Sequence, residues 1–131
     1  MISTRGRYAI RIMLDIAENF EGGYIPLKDI AERQEISKKY LEIIVRDLVK
    51  AKLLDAASGK GGGYKLSRKP EEYCIGEIIE ITEGTLSPVA CLENPEMNCP
   101  RAQNCKTLPM WKEFDALARN YFYSKKLSDL L

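Results

Sequence analysis

The run Leu27-Lys28-Asp29-Ile30-Ala31-Glu32-Arg33-Gln34-Glu35-Ile36-Ser37-Lys38-Lys39-Tyr40-Leu41-Glu42-Ile43-Ile44-Val45-Arg46-Asp47-Leu48 decides the fold. Its opening part predicts a short helix, Leu27 to Gln34, with Ile30 and Ala31 inward. Glu35-Ile36-Ser37 is a tight connection. The Ser37 hydroxyl can accept from the free amides of the turn after it, so a second helix opens there. Leu41, Ile44, Val45 and Leu48 fall on one face of that helix. Two helices joined so closely have the outline of a helix-turn-helix, an outline that many helical hairpins share.

The flanking residues strengthen that reading. Leu53 to Ala57 can form a strand, Ser58-Gly59-Lys60-Gly61-Gly62-Gly63 is a turn-forming run, and Tyr64-Lys65-Leu66 alternates as a return strand. A hairpin directly after the second helix is a wing. The glycines lack the spacing and terminal Lys-Ser/Thr of a nucleotide-binding loop. Upstream, Ala9, Ile12, Met13, Ile16, Ala17 and Phe20 share one face of an amphipathic helix that Glu21-Gly22-Gly23 ends. Downstream, Ile75, Ile78, Ile79 and Thr82 mark a further helix closed by Gly84. From Thr107 a long helix begins, with Pro109 tolerated in its first turn. Met110, Phe114, Leu117 and Tyr121 form a coiled-coil-like seam on it, with Trp111, Ala118 and Phe122 beside them, and this face is expected to pack on a second copy of the chain. Capping its own core is the other use for such a helix. Leu127 to Leu131 reads as a final helical turn.

The fold class is therefore mainly α with a small β-hairpin (α+β): a winged helix-turn-helix with a long C-terminal dimerisation helix. One compact domain is expected, with residues 1–85 as the DNA-binding part, 86–106 as a cysteine-bearing loop and 107–131 as the dimerisation helix and closing turn. At 131 residues and 45% hydrophobic composition the chain can bury a core without staples. Its apolar runs are too short to span a membrane. Arg5, Arg7 and Arg11 near the start are followed by no cleavage pattern, so a cytoplasmic location is expected.

Net charge is +1, but unevenly spread. Residues 1–70 hold 14 Lys/Arg against 9 Asp/Glu, a net of +5, and residues 71–131 hold 6 against 10, a net of −4. A basic front and an acidic back suit a DNA reader joined to a sensing or oligomerising part, although chance segregation gives the same split.

Four cysteines and no histidine complete the inventory. Leu86 to Lys106 contains Pro88, Pro95 and Pro100 and has no periodicity, so it is a long loop that needs a functional reason. Cys91, Cys99 and Cys105 lie on it with the spacing C-x7-C-x5-C. Three thiolates on one loop can hold an iron–sulfur cluster or zinc, or act as a metal-free thiol switch. Cys74 stands apart and reads as a small buried hydrophobe. No histidine and no nucleophile–base pattern occur, so an enzyme has little support, and an electron carrier would have no use for a recognition helix and wing.

The same residues, in this order, resemble the Rrf2 family of bacterial winged-helix regulators, and most closely its iron–sulfur cluster-sensing members. The resemblance runs nearly end to end. It is carried by Ser3-Thr4-Arg5-Gly6-Arg7-Tyr8-Ala9, by Ile36-Ser37 through Tyr40-Leu41-Glu42, and by Gly61-Gly62-Gly63-Tyr64. Gly76-Glu77-Ile78-Ile79, Glu83-Gly84, Ser87-Pro88-Val89 and the three-cysteine loop followed by Trp111 also fit. It implies a homodimer with crossed C-terminal helices, and two recognition helices in successive major grooves of a pseudo-palindromic double-stranded operator. It implies a repressor that senses iron–sulfur status, with 2Fe–2S favoured and 4Fe–4S the alternative. Nitric-oxide sensing, thiol-redox sensing and control of cysteine metabolism occur in the same family.

Ser37, Lys38, Lys39, Tyr40 and Glu42 are the candidate contacts on the N-terminal turn of the recognition helix. Phosphates repel Glu42, so it belongs at DNA only as an acceptor from cytosine amino groups, the use family resemblance implies. Arg46, one turn on, is a further DNA candidate and also the salt-bridge partner that would make Glu42 an ordinary solvated residue. Thr4, Arg5 and Arg7 are expected at phosphates. Relatives place an arginine before the wing glycines; here that position is Ser58, with Lys60 two residues on. The metal ligands expected are Cys91, Cys99 and Cys105. The histidine that some relatives carry three residues after the last cysteine is Leu108 here, and Arg5-Gly6-Arg7-Tyr8 offers no carboxylate. Glu93, Glu96, Asn104, Thr107, solvent or a small thiol remain for the fourth position.

Overall fold

A computed structural model describes residues 2–93 and 99–131. Five helices and one hairpin follow in order: α1 (Thr4–Glu18), α2 (Leu27–Gln34), α3 (Lys38–Lys50), β1 (Leu54–Ala57), β2 (Gly63–Leu66), α4 (Ile75–Glu83) and α5 (Leu108–Ser124). Short 3-10 turns occur at Pro70–Glu72, Ala90–Leu92, Ala102–Asn104 and Leu127–Leu130.

Helix α1 starts where the Ser3 hydroxyl accepts from the Arg5 amide at 3.2 Å. Ala9, Ile12, Met13 and Ile16 are fully buried as the periodicity requires. Phe20 is not: it lies beyond the helix end and is 56% exposed, because α1 stops at Glu18 before another turn can bring the ring inward. Glu35, in the left-handed region at φ 54°, ends α2 and turns the chain within three residues to Ser37. Ser37 caps α3 through the Tyr40 amide at 3.2 Å. Leu41, Ile44, Val45 and Leu48 are all buried. Each such aliphatic side chain contributes about 1.5–3 kcal/mol from burial, so the inner face of α3 fixes which residues remain outward.

The hairpin is antiparallel, with register from Leu54↔Leu66 to Ala57↔Gly63. Tyr64 exchanges both backbone hydrogen bonds with Ile25, at 2.8 and 2.9 Å, so the segment before α2 holds the inner edge of the wing. Gly63, at φ 138°, permits that approach: a Cβ there would fall on the Ile25 carbonyl. Tyr73 anchors the other end of the hairpin. Its ring is fully buried; its hydroxyl donates to Leu53 O at 2.7 Å and accepts from the Ser67 and Arg68 amides at 2.9 and 3.0 Å.

Helix α4 presents Ile75, Ile78, Ile79 and Thr82 to the core and ends at Gly84. Helix α5 has no buried residue. It is held to α4 by Arg119 Nη1 to Glu80 Oε1 at 2.8 Å and by the Tyr123 hydroxyl on the same carboxylate. The chain then returns to the core: Leu127 is buried, and its amide donates to Tyr73 O at 3.1 Å. Cys74 is half-buried at the start of α4, bridged to Lys126, and so is less enclosed than its apolar neighbours suggest. Among the described residues no helix is long and apolar enough to cross a membrane.

Candidate nucleic-acid interface and cysteine loop

The cap at Ser37 and the buried face of α3 leave Ser37, Lys38, Lys39, Glu42 and Arg46 exposed. Tyr40 is only half-exposed. It packs edge-on against Tyr8 with ring centroids 5.7 Å apart, and Arg11 covers Tyr8 at 5.0 Å. Its hydroxyl-bearing ring is thus braced by α1. Glu42 enters no ion pair among the described residues, so Arg46 does not neutralise it. A free carboxylate beside two lysines at a helix start is an acceptor surrounded by cations, the arrangement needed to accept from a base amino group while flanking charges hold phosphates.

Ser58 and Lys60 are exposed on the hairpin tip. A cleft runs between the wing and the helix-turn-helix, lined by Leu27, Lys28, Lys38, Ser58, Gly59 and Tyr64 among others. Lys28 is a cationic member of this cleft that sequence reading passed over; its exposed position in the first turn of α2 was the available signal.

At the start of α1, Thr4 and Arg7 are exposed and joined by a 3.3 Å hydrogen bond. Arg5 differs from the expected free phosphate contact: its guanidinium pairs with Asp47 on α3. The pairing of α1 with α2 was also unforeseen. Asp15, 2% exposed, accepts from Arg33 Nη2 at 2.7 Å and Gln34 Nε2 at 2.8 Å. The Asp15 hydrogen bond holds the Arg33 guanidinium above its usual range. Asp15 is buried and Arg33 reaches it from the surface, so the pair ties α2 to α1, the helix that packs beside it ahead of α3.

All four cysteines are free thiols. Cys91 is half-buried in the Ala90–Leu92 turn, Cys99 is exposed, and Cys105 is half-buried after the Ala102–Asn104 turn. The 86–106 segment is therefore not wholly irregular. The Cys105 Sγ lies 3.4 Å from Thr107 Oγ1; the Thr107 hydroxyl and amide hold this thiol below its usual pKa. That donor set suits a thiolate-held metal centre. The thiols are not gathered, since among the described residues no three His, Cys, Asp or Glu side chains converge. Of the fourth-ligand candidates, Glu93, Asn104 and Thr107 are exposed, and Glu96 lies outside the described residues.

Comparison with known proteins places these features in a family. Residues 2–131 match Rrf2, described as an iron-dependent transcriptional regulator. The HTH-type transcriptional regulator IscR of Aliivibrio salmonicida is 33% identical over 130 residues, covering 99% of this chain and 76% of the relative. Protein rrf2 of Nitratidesulfovibrio vulgaris is 38% identical, covering 99% and 86%. Among solved structures, CymR, the global cysteine regulator of B. subtilis, is similar at TM-score 0.79 with 35% identity over 99% of this chain and 95% of that one. T. potens IscR is similar at TM-score 0.77 with 32% identity, covering 99% and 85%. The winged-helix fold, the capped recognition helix and this end-to-end match agree: the chain belongs to the Rrf2 family of transcriptional regulators and is not an enzyme.

Proposed function

We propose that this regulator is a cytoplasmic homodimer that represses transcription from a pseudo-palindromic operator and reads iron–sulfur status through Cys91, Cys99 and Cys105. The observation that carries the reading is the joining, in one short chain, of an exposed cationic helix start to a loop bearing three free thiols. Likeness to IscR proteins supports the iron–sulfur assignment.

On DNA, Lys38, Lys39, Lys60, Thr4 and Arg7 neutralise or hydrogen-bond phosphates and release counterions, which sets affinity and its salt dependence. Ser37 fixes the helix start, Tyr40 donates to a phosphate from its braced position, and Glu42 accepts from cytosine amino groups. Arg46 and Ser58 extend the contact along the backbone. Dimerisation pairs the apolar stripes of two α5 helices: Met110, Phe114, Leu117 and Tyr121 are 40–62% exposed in the single chain, an apolar surface that a second copy would cover.

A bound cluster, 2Fe–2S in preference to 4Fe–4S, supplies an iron centre sensitive to oxidation and to iron supply. Cys91, Cys99 and Cys105 would hold it as thiolates. The Thr107 contact favours the Cys105 thiolate, the form a metal would need, and an oxygen donor or solvent in the fourth position would make the cluster easily lost. Loop position then biases the geometry in which two recognition helices are presented.

Anaerobically purified protein is expected to carry iron and acid-labile sulfide with visible absorbance, and to lose both when the three cysteines are replaced by alanine. Colourless protein free of iron and sulfide removes the cluster from the reading. A thiol or cysteine-metabolism signal is the second reading, favoured by the likeness to CymR and by the lack of any histidine. Under it, cluster-free protein binds the operator fully, and thiol oxidation alone releases it.

A further inference from the structure

The cysteine loop has a route to the DNA face, which rests on the reading that loop state alters DNA binding. A continuous set of contacts joins the two within one chain. Cys91 sits in the Ala90–Leu92 turn. The carbonyl of Leu92 accepts from the Ser87 hydroxyl at 3.0 Å, and Ser87 is buried. The Ser87 amide donates back to Thr85 Oγ1 at 3.0 Å, and Leu86 between them is locked in the core. This stretch follows directly on Gly84, so it is joined through the chain to the last turn of α4.

Glu83 ends that turn. Its Oε1 accepts from the Ser3 amide at 2.7 Å, the Ser3 hydroxyl at 2.7 Å and the Gly6 amide at 3.0 Å. The unpaired amides at a helix start favour such a carboxylate. Gly6 makes the approach possible, because a Cβ there would collide with the Glu83 side chain. Between the two gripped residues, Arg5 pairs with Asp47 on the same helix as Lys38, Lys39 and Glu42.

We propose that Glu83 is a positioning residue that transmits the state of the cysteine loop to the recognition helix, through Ser3 and Gly6 to Arg5 and Asp47. A shift of the Cys91 turn pulls Ser87 and the end of α4. Glu83 carries the start of α1 with it, and Arg5 turns α3 about its buried face. Such coupling is reciprocal: DNA on α3 must alter the loop as much as the loop alters DNA binding.

Reciprocity supplies a test without a cluster. Reduced, cluster-free protein is mixed with a duplex selected by this protein from a random pool. Iodoacetamide alkylation of Cys91, Cys99 and Cys105 is then followed by peptide mass spectrometry with and without the duplex. Alkylation samples the loop states that the duplex favours, so in the wild-type chain the duplex is expected to change the Cys91 rate by about 5-fold or more, the low end of typical coupling. Glu83→Ala is expected to bring that factor close to 1, with partial recovery in Glu83→Gln, which keeps an acceptor oxygen. Asp47→Ala does the same, and the double variant loses no more than either single one, because the links act in series.

Thermal melts confirm that each variant folds. A merely structural Glu83 would lower the melting temperature and leave the factor intact, and that result overturns the relay. Should Glu83→Ala not fold, Asp47→Ala decides alone: a retained factor overturns the relay. A wild-type chain whose duplex leaves alkylation unchanged, while cluster loading still alters its DNA affinity, overturns the relay and spares the sensor reading. Where loading alters nothing either, both fall.

Discussion

Glu42 is an exposed carboxylate on a cationic helix start, with Lys38 and Lys39 one turn before it. If it reads cytosine, Glu42→Ala is expected to relax discrimination at one base-pair position by about 1–3 kcal/mol while leaving binding to non-specific duplex unchanged or slightly stronger. Competition among operators varied at single positions measures this; an equal loss on every duplex would assign Glu42 to the fold instead. The residue was legible as a candidate because a lone acid on a cationic helix start is conspicuous. Asp15 was equally legible and passed over: it follows Ile12 at the helical interval and adjoins Ile16, so an acid falls on the apolar stripe of α1. Its partners Arg33 and Gln34 were not legible, because nothing local links positions 15 and 33. Arg5 shows the same gap from the other side. As a sequence feature it is one of three arginines near the start, and only the approach of α3 reveals that Asp47 engages it.

Elements came through more plainly than their mutual attachments. The caps at Ser37 and Gly84 and the four apolar positions of α3 are written in local chemistry, and the structure has them where spacing requires. The wing was legible as a hairpin, but not the tyrosine that secures its base. Tyr73→Phe removes a buried hydroxyl that serves one carbonyl and two amides, and a loss of about 2 kcal/mol is expected from the groups left unpaired. Urea denaturation measures it; an unchanged midpoint would mean water replaces the hydroxyl. Docking of α5 onto α4 carries a pH signature. Burial pushes Glu80 up, but hydrogen bonds from Tyr123 and Arg119 outweigh it and leave the carboxyl below its ordinary value of 4.5. Glu83 behaves likewise: burial raises it, and the Ser3 and Gly6 contacts bring it below the same value. The folded form therefore binds fewer protons than the unfolded one. The resulting stability is complete above about pH 4.5 and disappears as pH falls through the depressed folded values. Glu80→Gln is expected to flatten the acid limb of a pH–stability curve measured by denaturant melts, with no change in slope near neutrality.

Across the whole molecule, charge and hydrophobicity divide the labour. The basic half carries the cleft between wing and α3, and the acidic half carries the loop and an apolar helix with nothing buried. Leu117→Arg places a cation in the centre of the α5 stripe, where Leu117 is 62% exposed in the single chain. Sedimentation equilibrium is expected to show monomer in place of dimer, and operator affinity is expected to fall by at least about tenfold, since one half-site contact remains. A variant that still sediments as a dimer would place the interface elsewhere. The loop from 86 to 106 was the least legible region: without periodicity, its turns at Ala90–Leu92 and Ala102–Asn104 depend on contacts such as Ser87 with Leu92. The bare stripe on α5 has an outcome for gene control that no contact at the operator supplies. When the active species needs two copies and single copies prevail, promoter occupancy rises with the square of cellular abundance, so a modest change in synthesis or turnover sharpens into a switch-like response.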